Sequence, residues 1–159
     1  KFMMNGALTI GTLDGANIEI RDQVGADNFF LFGLTAAEVE QARANYDPNG
    51  IIEHDPALRE VMSLLESGHF NQFEKGIFDP IVHGIRSPYD PWLTAADFDS
   101  YRHAQLLAAE TYEDRDRWLR MSILNTAHSG FFSSDRTIAE YNRDIWKLDA
   151  VEPAPFGSR

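Results

Sequence analysis

Two short apolar runs, at residues 7–12 and 28–32, constrain the fold of this chain more than any other feature. The first is β-branched and bounded by glycines, and at that length it reads as a buried strand and not as a helix. The second is closed by Gly33 and follows the first by about one helix, so a β-α-β crossover with parallel strands is the economical reading. Ahead of the first run, Gly6 stands where a short helix or turn over residues 1–7 can end. Behind it, Asp14 is placed to accept from free backbone N–H groups as the N-cap of a helix beginning near Gly15, with Glu19 in its first turns.

The rest of the sequence reads mostly as helix. Thr35-Ala36-Ala37-Glu38 is a capping-box pattern that predicts a helix over residues 36–44. Residues 46–50 carry turn chemistry, and Asp55-Pro56 supplies an N-cap and a first-turn proline for a helix ending near Ser67-Gly68. Glycines, prolines and aromatics predict irregular structure over residues 68–91, with one short helix at 79–83. Thr94 to Asp97 reads as another capped start. The helix after it is expected to put Phe98, Tyr101, Gln105, Ala108 and Tyr112 on one face. Further helices are expected over residues 115–127, carrying Trp118, Met121, Ile123 and Leu124, and over 135–146, with Ile138, Tyr141 and Ile145 inward. Residues 151–159 read as a loose tail.

Two strands ahead of a helical remainder suit the end of an α/β domain. A parallel pair needs both faces covered and usually more neighbours, so residues 1–150 are expected to be the C-terminal part of a Rossmann-like domain, with further strands before Lys1. A chain opening on lysine and not methionine fits a piece of a longer protein.

Composition narrows the functional classes. The 159 residues hold 25 acidic and 14 basic side chains, a formal charge of −11, which opposes neutralising a nucleic acid or an anionic membrane surface. There is no cysteine, hence no disulfide framework or thiolate metal site. No bilayer-length apolar run is present, and a soluble cytoplasmic protein is the default. His54, His69, His83, His103 and His128 have no metal-ligand spacing, and Asp47, Asp55, Asp90, Asp97 and Asp99 are explained by turns and caps. Gly11 to Gly15 matches no phosphate-binding fingerprint and reads as a structural turn. The segment 110–120 reads as a solvated helix face. Ser133-Ser134-Asp135-Arg136 reads as a helix N-cap, and Phe29, Phe30, Phe131 and Phe132 as core.

The run K-F-x-x-N-G-A-L-T-I-G-T-x-D-G-A-N-x-E, from Lys1 to Glu19, resembles the cofactor-lysine segment of the α-glucan (glycogen, starch and maltodextrin) phosphorylases. The resemblance continues through Asn28-Phe29-Phe30-Leu31-Phe32-Gly33. It is diffuse over residues 34–104, and sharpens at Trp118 and from Ser129 to Ile138. It implies that Lys1 holds pyridoxal 5′-phosphate as a Schiff base, as an anchor and not a proton-transfer residue, with no catalytic residue in this chain. A lysine that forms an imine needs a neutral amine, which an apolar pocket favours, and Phe2 and Met3 are expected to line it. The resemblance further implies a glycosyltransferase-B architecture, and a homodimeric parent that splits terminal α-1,4-glucan bonds with orthophosphate. The product is glucose 1-phosphate of retained configuration, and the cofactor phosphate assists the reaction. Residues binding that phosphate are expected before Lys1, and the chain alone is expected to be inactive. The rival readings are a stable, non-catalytic helical interaction module and a sugar-nucleotide glycosyltransferase of the same fold.

Overall fold

The computed structural model describes residues 1–149 and 151, except Phe73. The tail expected at 151–159 therefore lies, but for Val151, outside the described residues. The chain opens with a single 3-10 turn, Met3–Asn5, that Gly6 ends in the left-handed conformation at φ 74°. Strand β1 (Ile10–Gly11) and strand β2 (Phe30–Leu31) follow, joined through helix α1 (Ala16–Val24). They pair in parallel, Ile10 opposite Phe30 and Gly11 opposite Leu31, with Phe30 N–H donating to Thr9 O and Phe32 N–H to Gly11 O. This is the crossover the two apolar runs predict.

The turn between β1 and α1 is held differently from expectation. Gly15, at φ 48°, is the residue before the helix, and no side chain caps it. The Asp14 carboxylate is not the N-cap; instead Asn17 folds back, its Nδ2 donating to Thr12 O at 3.0 Å.

Helix α2 (Ala36–Arg43) carries the full capping box, Thr35 Oγ1 accepting from Glu38 N–H and Glu38 Oε2 accepting from Thr35 N–H. Residues 46–50 do not form a free turn. Asp47 accepts from Gly50 N–H at 3.0 Å and Pro48 takes the first helical position, so the segment starts helix α3 (Pro48–His54). The same Asp-Pro pattern starts α4 (Pro56–Glu66), Asp55 Oδ1 accepting from Ala57 and Leu58 N–H. Helix α5 (Asp79–Arg86) runs three residues past the predicted helix. Tyr46, Ile52, Leu58, Met62, Val82 and Leu93 form the larger core cluster, with Ile52 and Met62 fully buried. Each such side chain stabilises the fold by about 1.5–3 kcal/mol relative to leaving it in water.

Helix α6 (Thr94–Glu113) is not capped by Thr94. Leu93 precedes it at φ 51°, and the buried Asp90 carboxylate accepts from Trp92 N–H at 2.9 Å and Thr94 N–H at 2.8 Å. Of its expected face, Ala108 is buried and Phe98 packs on the larger core cluster, but Tyr112 is 63% exposed, and Ala95, Ala104 and Thr111 are buried instead. Small residues win that face because α6 lies close against Phe30 of the sheet and against α7 (Arg115–His128), where Met121 closes the second core cluster. Trp118 packs on Phe30 with ring centroids 6.5 Å apart, and Ile123 points outward.

Ser133 Oγ accepts from Asp135 N–H and starts α8 (Ser134–Tyr141), as its sequence predicts. The helix then widens into one π turn, Asn142–Trp146, so the regular helix expected to residue 146 ends earlier. Ile138, Tyr141 and Ile145 are not inward: each is about half exposed or more. Phe29 and Phe30 are core as expected, in separate clusters on opposite sides of the extended chain entering β2. Phe132 is partly exposed, and the Arg136 guanidinium stacks 3.9 Å from the Phe131 ring centroid.

Candidate functional site: the Lys1 turn

The segment bearing Lys1 is built as a closed turn. Asn5 N–H donates to Phe2 O at 2.9 Å, Gly6 N–H to Met3 O at 2.9 Å, and Ala7 N–H to Phe2 O at 3.1 Å. The Asn5 side-chain amide donates to Lys1 O at 2.8 Å, tying the first residue to the turn. Met3 is the inward anchor, buried with Val24 and Phe29 in a third core cluster.

Two hydroxyls one helical turn apart on α7 fasten this turn to the domain. Ser122 Oγ donates to Gly6 O at 2.8 Å and Thr126 Oγ1 to Met3 O at 3.2 Å. Gly6 is required twice over, by its positive φ and because a Cβ there would run into Ser122 Oγ. Sequence reasoning did not find Ser122 or Thr126. Their signal was the i,i+4 hydroxyl pair on a face that also carries the fully buried Asn125.

Lys1 sits at the rim of a cleft of about 350 Å³, walled by Met3, Ile20 and Phe132, with Thr9 and Ser129 supplying hydroxyls. Phe2 and Met3 line the cleft as expected, but Phe2 is 82% exposed and Lys1 is also exposed, so the apolar pocket does not bury the amine. A primary amine beside an apolar wall fits the ring and carbonyl end of a pyridoxal group. The same lining gives a phosphate little: Lys1 is its sole cation among the described residues. Met3, Ile20 and Phe132 fit as a wall for the ring, and Lys1 as its tether; the phosphate finds no cradle among these residues.

The other polar candidates resolve into structural roles. Asp47, Asp55 and Asp90 accept from helix-start N–H groups, Asp97 accepts from Leu34 N–H at 2.9 Å, and Asp99 pairs with Arg102 at 2.7 Å. Burial pushes the Asp97 carboxyl above the ordinary carboxylate range against the pull of the Leu34 N–H, and the neighbouring Asp90 charge adds to the rise. No cluster of three His, Cys, Asp or Glu side chains suited to a metal occurs among the described residues. None of the helices among them is long and apolar enough to cross a membrane.

A family model described as "Carbohydrate phosphorylase" matches residues 1–148. Glycogen phosphorylase of Synechocystis sp. is 51% identical over 152 residues, covering 95% of this chain and 18% of that protein. The H isozyme of α-glucan phosphorylase from Solanum tuberosum is 47% identical over 153 residues, covering 93% and 18%. Cytosolic α-glucan phosphorylase 2 of Arabidopsis thaliana is 46% identical over 160 residues, covering 98% and 18%. The chain thus spans about a fifth of the length of these relatives. With the family model matching almost end to end and these identities sustained over the same span, this chain belongs to the carbohydrate phosphorylase family.

Proposed function

We propose that this chain is the part of an α-glucan phosphorylase that carries and braces the cofactor lysine, within an enzyme that cleaves terminal α-1,4-glucosidic bonds with orthophosphate to release glucose 1-phosphate. One observation carries the reading: Lys1 stands at the mouth of an apolar cleft on a turn fastened to α7. Its sequence context is that of relatives named glycogen and α-glucan phosphorylase.

In this reading pyridoxal 5′-phosphate supplies a phosphate group able to assist the reaction beside the substrate phosphate. The residues of this chain do the holding. Lys1 Nζ tethers the cofactor, Met3 and Phe132 shield its ring from water, and the Ser122 and Thr126 hydroxyls fix the backbone that aims Lys1. The donors for the cofactor phosphate, for the orthophosphate and for the glucosyl unit being cleaved belong to the remainder of the enzyme. A homodimeric, cytoplasmic enzyme of glycosyltransferase-B architecture is part of the same proposal. Exposed apolar side chains on α7, on α8 and on the π turn after it, among them Ile123, Ile138 and Ile145, support burial of this unit against more protein.

The test is a graft. Placed in the matching segment of the Synechocystis glycogen phosphorylase, this sequence is expected to support glucose 1-phosphate release, and Lys1→Ala to abolish it. Undiminished release by the Lys1→Ala graft would refute the assigned role. The 159-residue chain alone is expected to release none.

A further inference from the structure

We propose that the crevice at the carboxyl ends of β1 and β2 is a saccharide-binding site, taking a glucosyl unit of an α-1,4-glucan; the choice of that glucan rests on the function proposed above, whereas the saccharide chemistry does not. The crevice measures about 690 Å³, and the chain segments leaving both strands form one wall of it, Thr12 to Asp14 after β1 and Phe32 after β2. The start of α6 forms the other wall. Ligands of parallel α/β sheets bind in this position, and the volume is that of a small-molecule site.

Its lining matches a pyranose. A sugar ring presents apolar C–H faces and a belt of hydroxyl donors. Phe32, Trp92 and Tyr101 offer aromatic surface, with Tyr101 bracing Phe32 edge-on at 5.1 Å between ring centroids. The Asp14 and Asp97 carboxylates are acceptors, and Asp97 commits only Oδ1, to Leu34 N–H, among the described hydrogen bonds. Among the described residues the lining contains no Lys, Arg or His, so a phosphate ester would meet two carboxylates and no counter-charge there. The ligand is therefore a neutral sugar and not glucose 1-phosphate.

Trp92 is presented, not packed. It is 77% exposed, while the next residue, Leu93, is fully buried at φ 51°, a left-handed conformation that a branched side chain adopts only when its surroundings enforce it. Asp90 enforces it, gripping the N–H groups of Trp92 and Thr94 on either side of Leu93. The kink turns the indole out over the crevice mouth.

The experiment is a titration of the 159-residue chain with maltotetraose, followed by two-dimensional NMR. The expected result is saturable displacement of the Trp92 indole N–H signal and of the amides of Thr12, Asp14 and Thr94. Glucose 1-phosphate is expected to produce none, and cellotetraose at least tenfold weaker displacement. Trp92→Ala is expected to weaken binding about tenfold, with unchanged amide dispersion and thermal unfolding, because its side chain is not part of a core. Equal binding of cellotetraose would overturn the choice of an α-glucan. Absence of displacement at 20-fold excess over about 1 mM, or displacement centred on the Lys1 cleft, would each overturn the site. If the isolated chain gives an undispersed spectrum, the titration is read in the grafted phosphorylase with its Trp92 indole labelled, where absence of displacement overturns it. None of these outcomes depends on a cofactor at Lys1, so the site and the phosphorylase reading fail separately.

Discussion

Replacing Gly6 by alanine is the most informative single change, because the structure separates its cost into two parts. The backbone at Gly6, φ 74° and ψ 12°, lies in the left-handed region, which costs a non-glycine residue about 1–2 kcal/mol. The new Cβ would also displace Ser122 Oγ, whose hydrogen bond to Gly6 O at 2.8 Å contributes about 1 kcal/mol. Gly6→Ala should therefore destabilise the chain by about 2–3 kcal/mol. In a Ser122→Ala background the hydroxyl is already gone, and the same change should cost only the backbone part. The assay is urea unfolding of wild type, both single variants and the double variant, read by circular dichroism. A coupling energy of about 1 kcal/mol between the two positions is expected. A Gly6→Ala cost below about 0.5 kcal/mol, or one unchanged in the Ser122→Ala background, would refute the claim that α7 fixes the Lys1 turn.

Further predictions concern the polar interior. Asp90→Ala should destabilise by about 2–3 kcal/mol in urea unfolding, since two N–H donors lose a buried charged acceptor. The Asp97 carboxyl is raised by burial, so the folded state holds its proton more tightly than the unfolded state does. Ionising it costs stability as pH rises from the ordinary aspartate value of 3.8 through the raised folded value. Asp97→Asn, which keeps an acceptor for Leu34 N–H, should thus be more stable than wild type at pH 7, with the gap closing as pH falls toward 4 in paired urea titrations. Asn125 is fully buried and its Oδ1 meets no donor among the described residues, so Asn125→Leu should be neutral or stabilising by up to about 1 kcal/mol in thermal unfolding.

The strands, the crossover and most helix starts were legible because each is written in local chemistry. Glycine-bounded apolar runs gave β1 and β2, and Thr35, Asp55 and Ser133 declare their caps within three residues. The misreadings share one cause, a partner distant in sequence or a competing local one. Asp14 lost its cap role to a turn that Asn17 satisfies, and Thr94 lost its own to Asp90, four residues upstream. Residues 46–50 read as a turn because Pro, Asn and Gly suit both a turn and a helix start; Asp47 decides for the helix.

The inner face of α6 is set by how closely α7 and the sheet approach: Ala108, which the periodicity singled out, is buried together with Ala104, whereas the aromatics Tyr101 and Tyr112 stay partly exposed. At the candidate site, the lining of the cleft beside Lys1 by Phe2 and Met3 was legible. The Ser122 and Thr126 fastening was not, being more than a hundred residues away in the chain.

The central claim is that Lys1 is the cofactor lysine, and the sequence offers an internal control, since its lysines are Lys1, Lys75 and Lys147. The measurement is borohydride reduction of the grafted phosphorylase after loading with pyridoxal 5′-phosphate, followed by peptide mass mapping. The account predicts one phosphopyridoxyl group, on the peptide containing Lys1, and its loss in Lys1→Ala. An adduct on Lys75 or Lys147 with Lys1 unmodified, or a loaded and active enzyme after Lys1→Ala, would contradict it.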